Sequence, residues 1–258
     1  MPPAASPLPA AIPAAIPGRT TASRYDRLDA LRGLALVWMA VFHFCFDLAT
    51  FRLIDANFYA DPLWTTQRTV ILSLFLLCAG AGQAVAVAQR QSWPRFWRRW
   101  AQVAGCALLV SAGSALMFPQ SWISFGVLHG MAVMLVAARL LAPLRGGLWP
   151  LGLAIVLLPQ WVAHPFFDSR WTNWVGLVTH KPVTEDYVPI FPWFGVMLWG
   201  MAATQVLLAR APGWLTGPLP RPGAPLTGLA VLGRWSLSFY MVHQPVFIGA
   251  LMLATQLR

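Results

Sequence analysis

Four ionisable residues of the stretch DALRGLALVWMAVFHFCFD, Asp29, Arg32, His43 and Asp47, share one helical face. At ~100° per residue they fall within about 60° of arc. A charged side chain at the centre of a bilayer costs ~3 kcal/mol or more unless it meets protein or water, so on a membrane helix this face must look into the bundle. With ~1.5 Å rise per residue, Arg32 lies near one end, and His43 and Asp47 lie ~16 and ~22 Å further along. His43 and Asp47 are an i, i+4 pair, the spacing at which a carboxylate can orient an imidazole and favour its charged form. That arrangement suits a histidine acting as general base, or as a nucleophile that carries a group transiently. Arg32, together with Arg234 near the same end of the last span, offers guanidinium groups to an anionic ligand.

Two further histidines join this set by a depth count. His129 lies in a span descending from Trp122, and His243 in one ascending from Gly233, so His43, His129 and His243 are expected at one depth around a common cavity. In SLSFYMVHQP, Gln244 adds a polar group, and Pro245 frees a backbone carbonyl. Asp29, His129, His243 and Gln244 are the candidates for holding a substrate, with Asp47 supporting His43 in catalysis. Three histidines also invite a metal or haem, but there is no HxxxH pair or Cys/His cluster, and no metal is expected. Cys45, Cys78 and Cys106 each fall inside an apolar stretch, without the spacing of a zinc site or a disulfide framework.

The elements that must position these groups follow from composition. The 258 residues are 58% hydrophobic and only 10% charged, a balance that excludes an ordinary soluble domain. The expected fold is all-α, a polytopic bundle of about seven transmembrane helices near 30–51, 69–89, 100–117, 122–141, 148–163, 189–209 and 229–254. Residues 1–22, rich in Pro and Ala, are expected to be a disordered tail, and residues 23–258 the membrane domain. The net charge of +10 is almost wholly arginine. Its arginines flank apolar spans rather than forming a soluble basic face, which argues for the lipid bilayer as partner and against nucleic acid.

With seven crossings, Arg24, Arg27, Arg90, Arg95, Arg98, Arg99, Arg139, Arg145, Arg210 and Arg221 share one side, and Arg52, Arg170, Lys181 and Arg258 the other. The positive-inside rule then places the N terminus in the cytoplasm and the chain in a plasma (inner) membrane. The basic, aromatic segment RQSWPRFWRRW (90–100) reads as a headgroup-anchored interfacial stretch, with phosphate binding as its alternative. The loop 164–188, with His164, Asp168, Arg170, Trp171, Trp174, His180, Lys181, Glu185 and Asp186, could contact a sugar or serve as an aromatic belt.

Four segments carry a family resemblance: RLDALRGLALVWMAVFHFCFDL (27–48), FGVLHGMAV (125–133), DYVPIFPWFGVMLWG (186–200) and LGRWSLSFYMVHQPV (232–246). The chain resembles bacterial members of the heparan-alpha-glucosaminide N-acetyltransferase catalytic-domain family, within a wider group of transmembrane acyltransferases, over about residues 24–254. The resemblance implies transfer of an acyl group, typically acetyl from acetyl-CoA as co-substrate, to a small-molecule or glycan acceptor across the membrane. His43 matches the position that looks catalytic in the wider group. The corresponding loop after this span, 52–68, has no histidine, where the animal enzyme's proposed catalytic histidine lies. On this reading Arg32 and Arg234 attract acyl-CoA and His43 acts at the acceptor. A transporter or flippase is the rival, because a polar stripe crossing the membrane also describes a substrate pathway.

Overall fold

The computed structural model describes residues 25–216 and 225–256, and these are helical with no strand among them. The expected tail, residues 1–22, and Arg24, Arg221 and Arg258 lie outside the described residues. The helices are α1 (Asp26–Thr50), α2 (Pro62–Ala88), α3 (Trp93–Met117), α4 (Val127–Leu141), α5 (Leu148–Leu157), α6 (Ile190–Arg210), α7 (Pro212–Thr216), α8 (Pro225–Arg234) and α9 (Ser236–Gln256). Six helical segments are long and apolar enough to cross a membrane, and the fourth of them, Val127–Gln160, contains both α4 and α5. That segment breaks at Arg145, whose φ of 46° and ψ of −109° are not helical.

Contacts with α6 show that the chain reverses at this break. Gly130 of α4 sits against Val188 before α6 begins, and Ala142 accepts a bond from Gln205 near its end, so α4 and α6 run the same way. Trp199 donates to the Trp149 carbonyl while Gly195 packs on Val156, so α5 runs oppositely. The chain is thus a multi-pass membrane protein, and among the described residues the fourth of its six apolar segments is folded back on itself at Arg145. Its start, the 89–92 turn, the 142–147 reversal and the α6–α7 junction gather Arg27, Arg90, Arg139, Arg145 and Arg210 at one end, the basic face. The other end, the loop face, carries Arg52, Arg68, Arg170 and Lys181.

Local sequence explains the element ends. Asp61 caps α2 by accepting from the Leu63 N–H at 2.8 Å, with Pro62 at the first helical position where a missing N–H costs nothing. The segment 90–100 leads into a span: α3 starts at Trp93, and Arg139 of α4 lies over the rings of Trp93 and Phe96 at 5.3 and 5.7 Å. The main core surrounds α6, where Leu76, Met134, Leu148, Met197, Leu198 and Met201 are fully enclosed. α2 and α6 touch backbone to backbone, because a Cβ at Gly80 or Gly200 would collide with the Met197 or Leu77 carbonyl.

The expected span 229–254 is corrected. It consists of two helices, α8 and α9, meeting at Trp235. Gly33 lies against Leu229 and Gly233 against Asp29, so α8 runs antiparallel along the first turns of α1, and α9 then ascends parallel to α1. Hydropathy alone could not separate them, since an apolar helix that packs back on a neighbour reads like the start of a crossing.

Candidate functional site

One cavity of about 2840 Å³ runs between α1, α2, α3 and α9. Its lining includes Arg32, Arg95, Arg99 and Arg234 at the basic face, His43, Asp47, His243 and Gln244 midway, and Tyr59, Arg68, Lys181 and Asp186 at the loop face. All four residues of the α1 stripe line it, so the helical face inferred from spacing does turn away from lipid.

The mid-cavity chemistry is a histidine pair. His43 Nδ1 and His243 Nε2 are 2.8 Å apart, and the two rings lie nearly parallel, 11° from coplanar, with centroids 5.1 Å apart. His243 Nδ1 is 2.7 Å from the Tyr240 carbonyl oxygen. A carbonyl only accepts, so His243 carries its proton on Nδ1 and presents a lone pair at Nε2. His43 must then donate from Nδ1, which leaves its Nε2 bare. No partner engages His43 Nε2 among the described residues, and His43 lines the cavity. The chain Tyr240 carbonyl, His243, His43 therefore fixes both tautomers and points one basic nitrogen at the open space. Phe42, in edge contact with His43, and Phe239, stacked on His243, hold the rings from either side.

Asp47 does not orient His43 as its spacing suggested. Its Oδ1 accepts from Gln244 Nε2 at 2.8 Å, and Asp47 is 3% exposed. Its Oδ2 and the Gln244 Oε1 have no hydrogen-bond partner. α9 approaches α1 closely enough to insert His243 and Gln244 beside His43 and Asp47, and each α1 residue bonds to the nearer α9 group.

His129 is not brought to the pair. It does not line the cavity, its Nε2 lies 3.0 Å from Ser111 Oγ, and its Nδ1 accepts from the Gly126 N–H at 3.3 Å. The depth count misplaced it because α4 starts at Val127 rather than 122, so His129 stands in its first turn, close to the loop face. Asp29 also departs from the acceptor-binding expectation. It lies roughly 21 Å below His43 along α1, where it bonds Arg32 at 2.8 Å and lies 3.8 Å from Arg234.

Arg32 and Arg234 are thus answered by carboxylates, since Arg234 also pairs with Asp26 at 2.8 Å. Arg95 and Arg99 line the same end of the cavity with no carboxylate partner among the described residues. They lie in the basic segment for which phosphate binding was the alternative, and an i, i+4 spacing on a helix was the available signal. Arg68, at the loop face, was missed because it borders an apolar span and has no motif. Among the described residues, no group of three or more His, Cys, Asp or Glu is placed to hold a metal ion.

The loop face is braced by polar contacts of its own. Thr179 donates from its backbone N–H and hydroxyl to the two Asp168 oxygens at 2.7 and 2.6 Å. The hydroxyl bond chiefly holds the Asp168 carboxyl below its usual range. Asp186 accepts from the Val127 N–H at 2.7 Å, capping α4, and desolvation raises its carboxyl despite that bond. Desolvation, and then the Asp168 charge, push the Tyr187 phenol up to about 12, consistent with its donating to the Asn173 carbonyl at 2.6 Å.

A polytopic helical bundle enclosing a buried basic nitrogen, with unpaired cations at either end of its cavity, has the layout of a membrane-embedded group-transfer protein. Over residues 24–245 the chain matches the family described as "Heparan-alpha-glucosaminide N-acetyltransferase, catalytic", and it belongs to that family. It is therefore a transmembrane acyltransferase, of a family whose donor is in general acetyl-CoA. No curated protein and no solved structure matches the chain.

Proposed function

We propose that the protein moves an acetyl group from acetyl-CoA, bound at the basic face, to an amine or hydroxyl of a sugar acceptor entering at the loop face. The basic face is the cytoplasmic one on the arginine bias, which puts the N terminus in the cytoplasm of a plasma (inner) membrane. The bare Nε2 of His43, held by His243 in a cavity that reaches both ends, is the observation that carries this reading.

Arg95 and Arg99 are suited to the CoA phosphates because no carboxylate neutralises them. Arg32 and Arg234 add positive potential, while Arg234 braces α8 against α1 and Arg32 reaches the Cys78 carbonyl of α2. His43 Nε2 takes the acceptor proton as the acceptor N or O bonds the acetyl carbonyl carbon. The thioester C–S bond then breaks, and the departing thiolate leaves as the CoA thiol with the proton returned from His43. His243 is a positioning residue: through its own bond to the Tyr240 carbonyl it keeps the His43 proton on Nδ1. Asp47 and Gln244, with an unpartnered oxygen each, are placed to accept from the acceptor's donor groups beside the histidines.

The test is purified protein in proteoliposomes with labelled acetyl-CoA and amino-sugar acceptors. Acceptor-dependent release of CoA with label on the sugar, abolished by His43→Ala, is expected. Sugar uptake without CoA release would instead identify a transporter.

A further inference from the structure

The cavity is not closed on its membrane side. In the half nearer the basic face, Val103 and Ala107 of α3 share an apolar cluster with Leu237, Tyr240 and Met241 of α9. Towards the loop face the two helices part. Leu109, Gly113 and Met117 of α3 and Ile248 and Met252 of α9 line the cavity there, and none of the five belongs to a core cluster. Leu109 is 65% and Met117 53% exposed, and a Cβ on Gly113 would meet nothing within 4 Å. An apolar cleft therefore leads sideways from the histidine pair into the loop-face leaflet. A water-soluble sugar gains nothing from such a wall, whereas a hydrocarbon chain does.

At the loop-face end of the same cavity stand Arg68 and Lys181, and neither has an ion pair among the described residues. Desolvation and then the Arg68 charge hold the Lys181 ammonium below its usual range, which puts the two cations within electrostatic reach of each other. The neighbouring carboxylates accept from other groups, Asp186 from the Val127 N–H and Glu185 from the Ser121 hydroxyl, and Asp186 reaches Lys181 and Arg68 only through space, without a direct ion pair. Two unpaired cations at headgroup depth, beside an apolar slot, complement an anionic amphiphile.

We infer that the acceptor is lipid-linked: a sugar on a phosphate-bearing hydrocarbon anchor, its chain in the cleft between α3 and α9, its phosphate at Arg68 and Lys181, and its reactive group at His43. This rests on the acyl-transfer reading for the reaction, but the binding claim can be tested apart from it. The transfer is the one written above, with the acceptor proton passing through His43 Nε2 to the CoA thiolate.

Two probes test it on the full chain in liposomes. In turnover, farnesyl-phospho-glucosamine is expected to show kcat/KM at least about tenfold above soluble glucosaminyl phosphate. Gly113→Trp should lower that ratio about tenfold, through the chain, and the Arg68→Ala/Lys181→Ala pair should lower kcat/KM about tenfold on both acceptors, through the phosphate they share. Equal use of both acceptors, equal losses on both in Gly113→Trp, or unchanged use of both in the Arg68→Ala/Lys181→Ala pair, overturns the inference. In binding, which needs no turnover, a benzophenone-tagged farnesyl-phospho-glucosamine should label residues 109–117 and 248–252, resist excess phospholipid, and lose labelling in both variants. Labelling elsewhere, or labelling that phospholipid competes away, overturns it even where His43-dependent transfer is intact. Disulfide-linked dimers through Met117→Cys, with the cleft covered by a second copy, overturn it too. Specific labelling with no acetyl transfer would leave the lipid site standing and sink the enzymatic reading alone.

Discussion

The two regions of the cavity handle polar groups in opposite ways. At the basic face Arg32 and Arg234 share Asp26 and Asp29, so each of these four charges meets its counter-charge within hydrogen-bonding reach or close to it. Midway, the chain of bonds from the Tyr240 carbonyl through His243 to His43 ends on a nitrogen with no protein partner, and Asp47 and Gln244 each keep an oxygen unsatisfied. A buried polar group left open costs about 1–3 kcal/mol, so such openness is the mark of a place where a ligand completes the bonding. The closed region holds helices together; the open one is where we propose that chemistry occurs.

The largest expected effect is at the open end of the chain of bonds. His43→Ala should lower acceptor-dependent CoA release by about 10²–10⁴-fold while membrane insertion and yield stay near wild type. Near-normal turnover would remove the histidine pair from the mechanism. Next, His243→Ala should lower kcat by about 10–100-fold with little change in KM, as for other groups that orient a reacting histidine. Asp47→Asn separates the two possible partners of His43. Since Asp47 bonds Gln244 and not His43, the change should cost less than about tenfold. A loss as deep as that of His243→Ala would show that the carboxylate, not the second imidazole, supports the base.

At the basic face the contrast predicts a different kind of loss. Arg95→Ala and Arg99→Ala should each raise KM for acetyl-CoA by about tenfold with kcat little changed, since an unpaired cation contributes uniform binding. Arg32→Ala should act on the fold instead, leaving Asp29 part-buried with its near neighbour gone, and reduce the yield of folded protein. If Arg32→Ala raised KM and Arg95→Ala and Arg99→Ala did not, the division between closed and open cations would be wrong.

The smallest effect is at the loop face. Because the folded state holds Asp168 below its ordinary carboxylate value of 3.8, the brace to Thr179 contributes fully above that pH and is lost as pH falls through the lower folded value. Hydrogen exchange at the Thr179 amide should be insensitive to pH-driven opening between neutral pH and about pH 5, and should loosen in Asp168→Asn. Unchanged protection in that variant would mean that the loop is held by its apolar contacts alone.

Much of the architecture was legible in the order of residues. Apolar runs of membrane-spanning length define crossings without tertiary information, because hydrocarbon demands them one helix at a time. The arginine asymmetry and the shared face of Asp29, Arg32, His43 and Asp47 are likewise local, since a helix fixes their direction within a single element. The match over residues 24–245 agrees with the family read from the motifs. What needed the tertiary structure was every partnership between elements. The partner of His43 stands 200 positions away and not four, because helix spacing says which side chains share a face but not what faces them. The same limit split one apolar run into α8 and α9 and set His129 near the loop face, where a five-residue shift in the start of α4 outweighed the depth count. It also opened the cleft between α3 and α9, since whether two apolar helices meet or part is decided by packing along their whole length, which hydropathy does not encode.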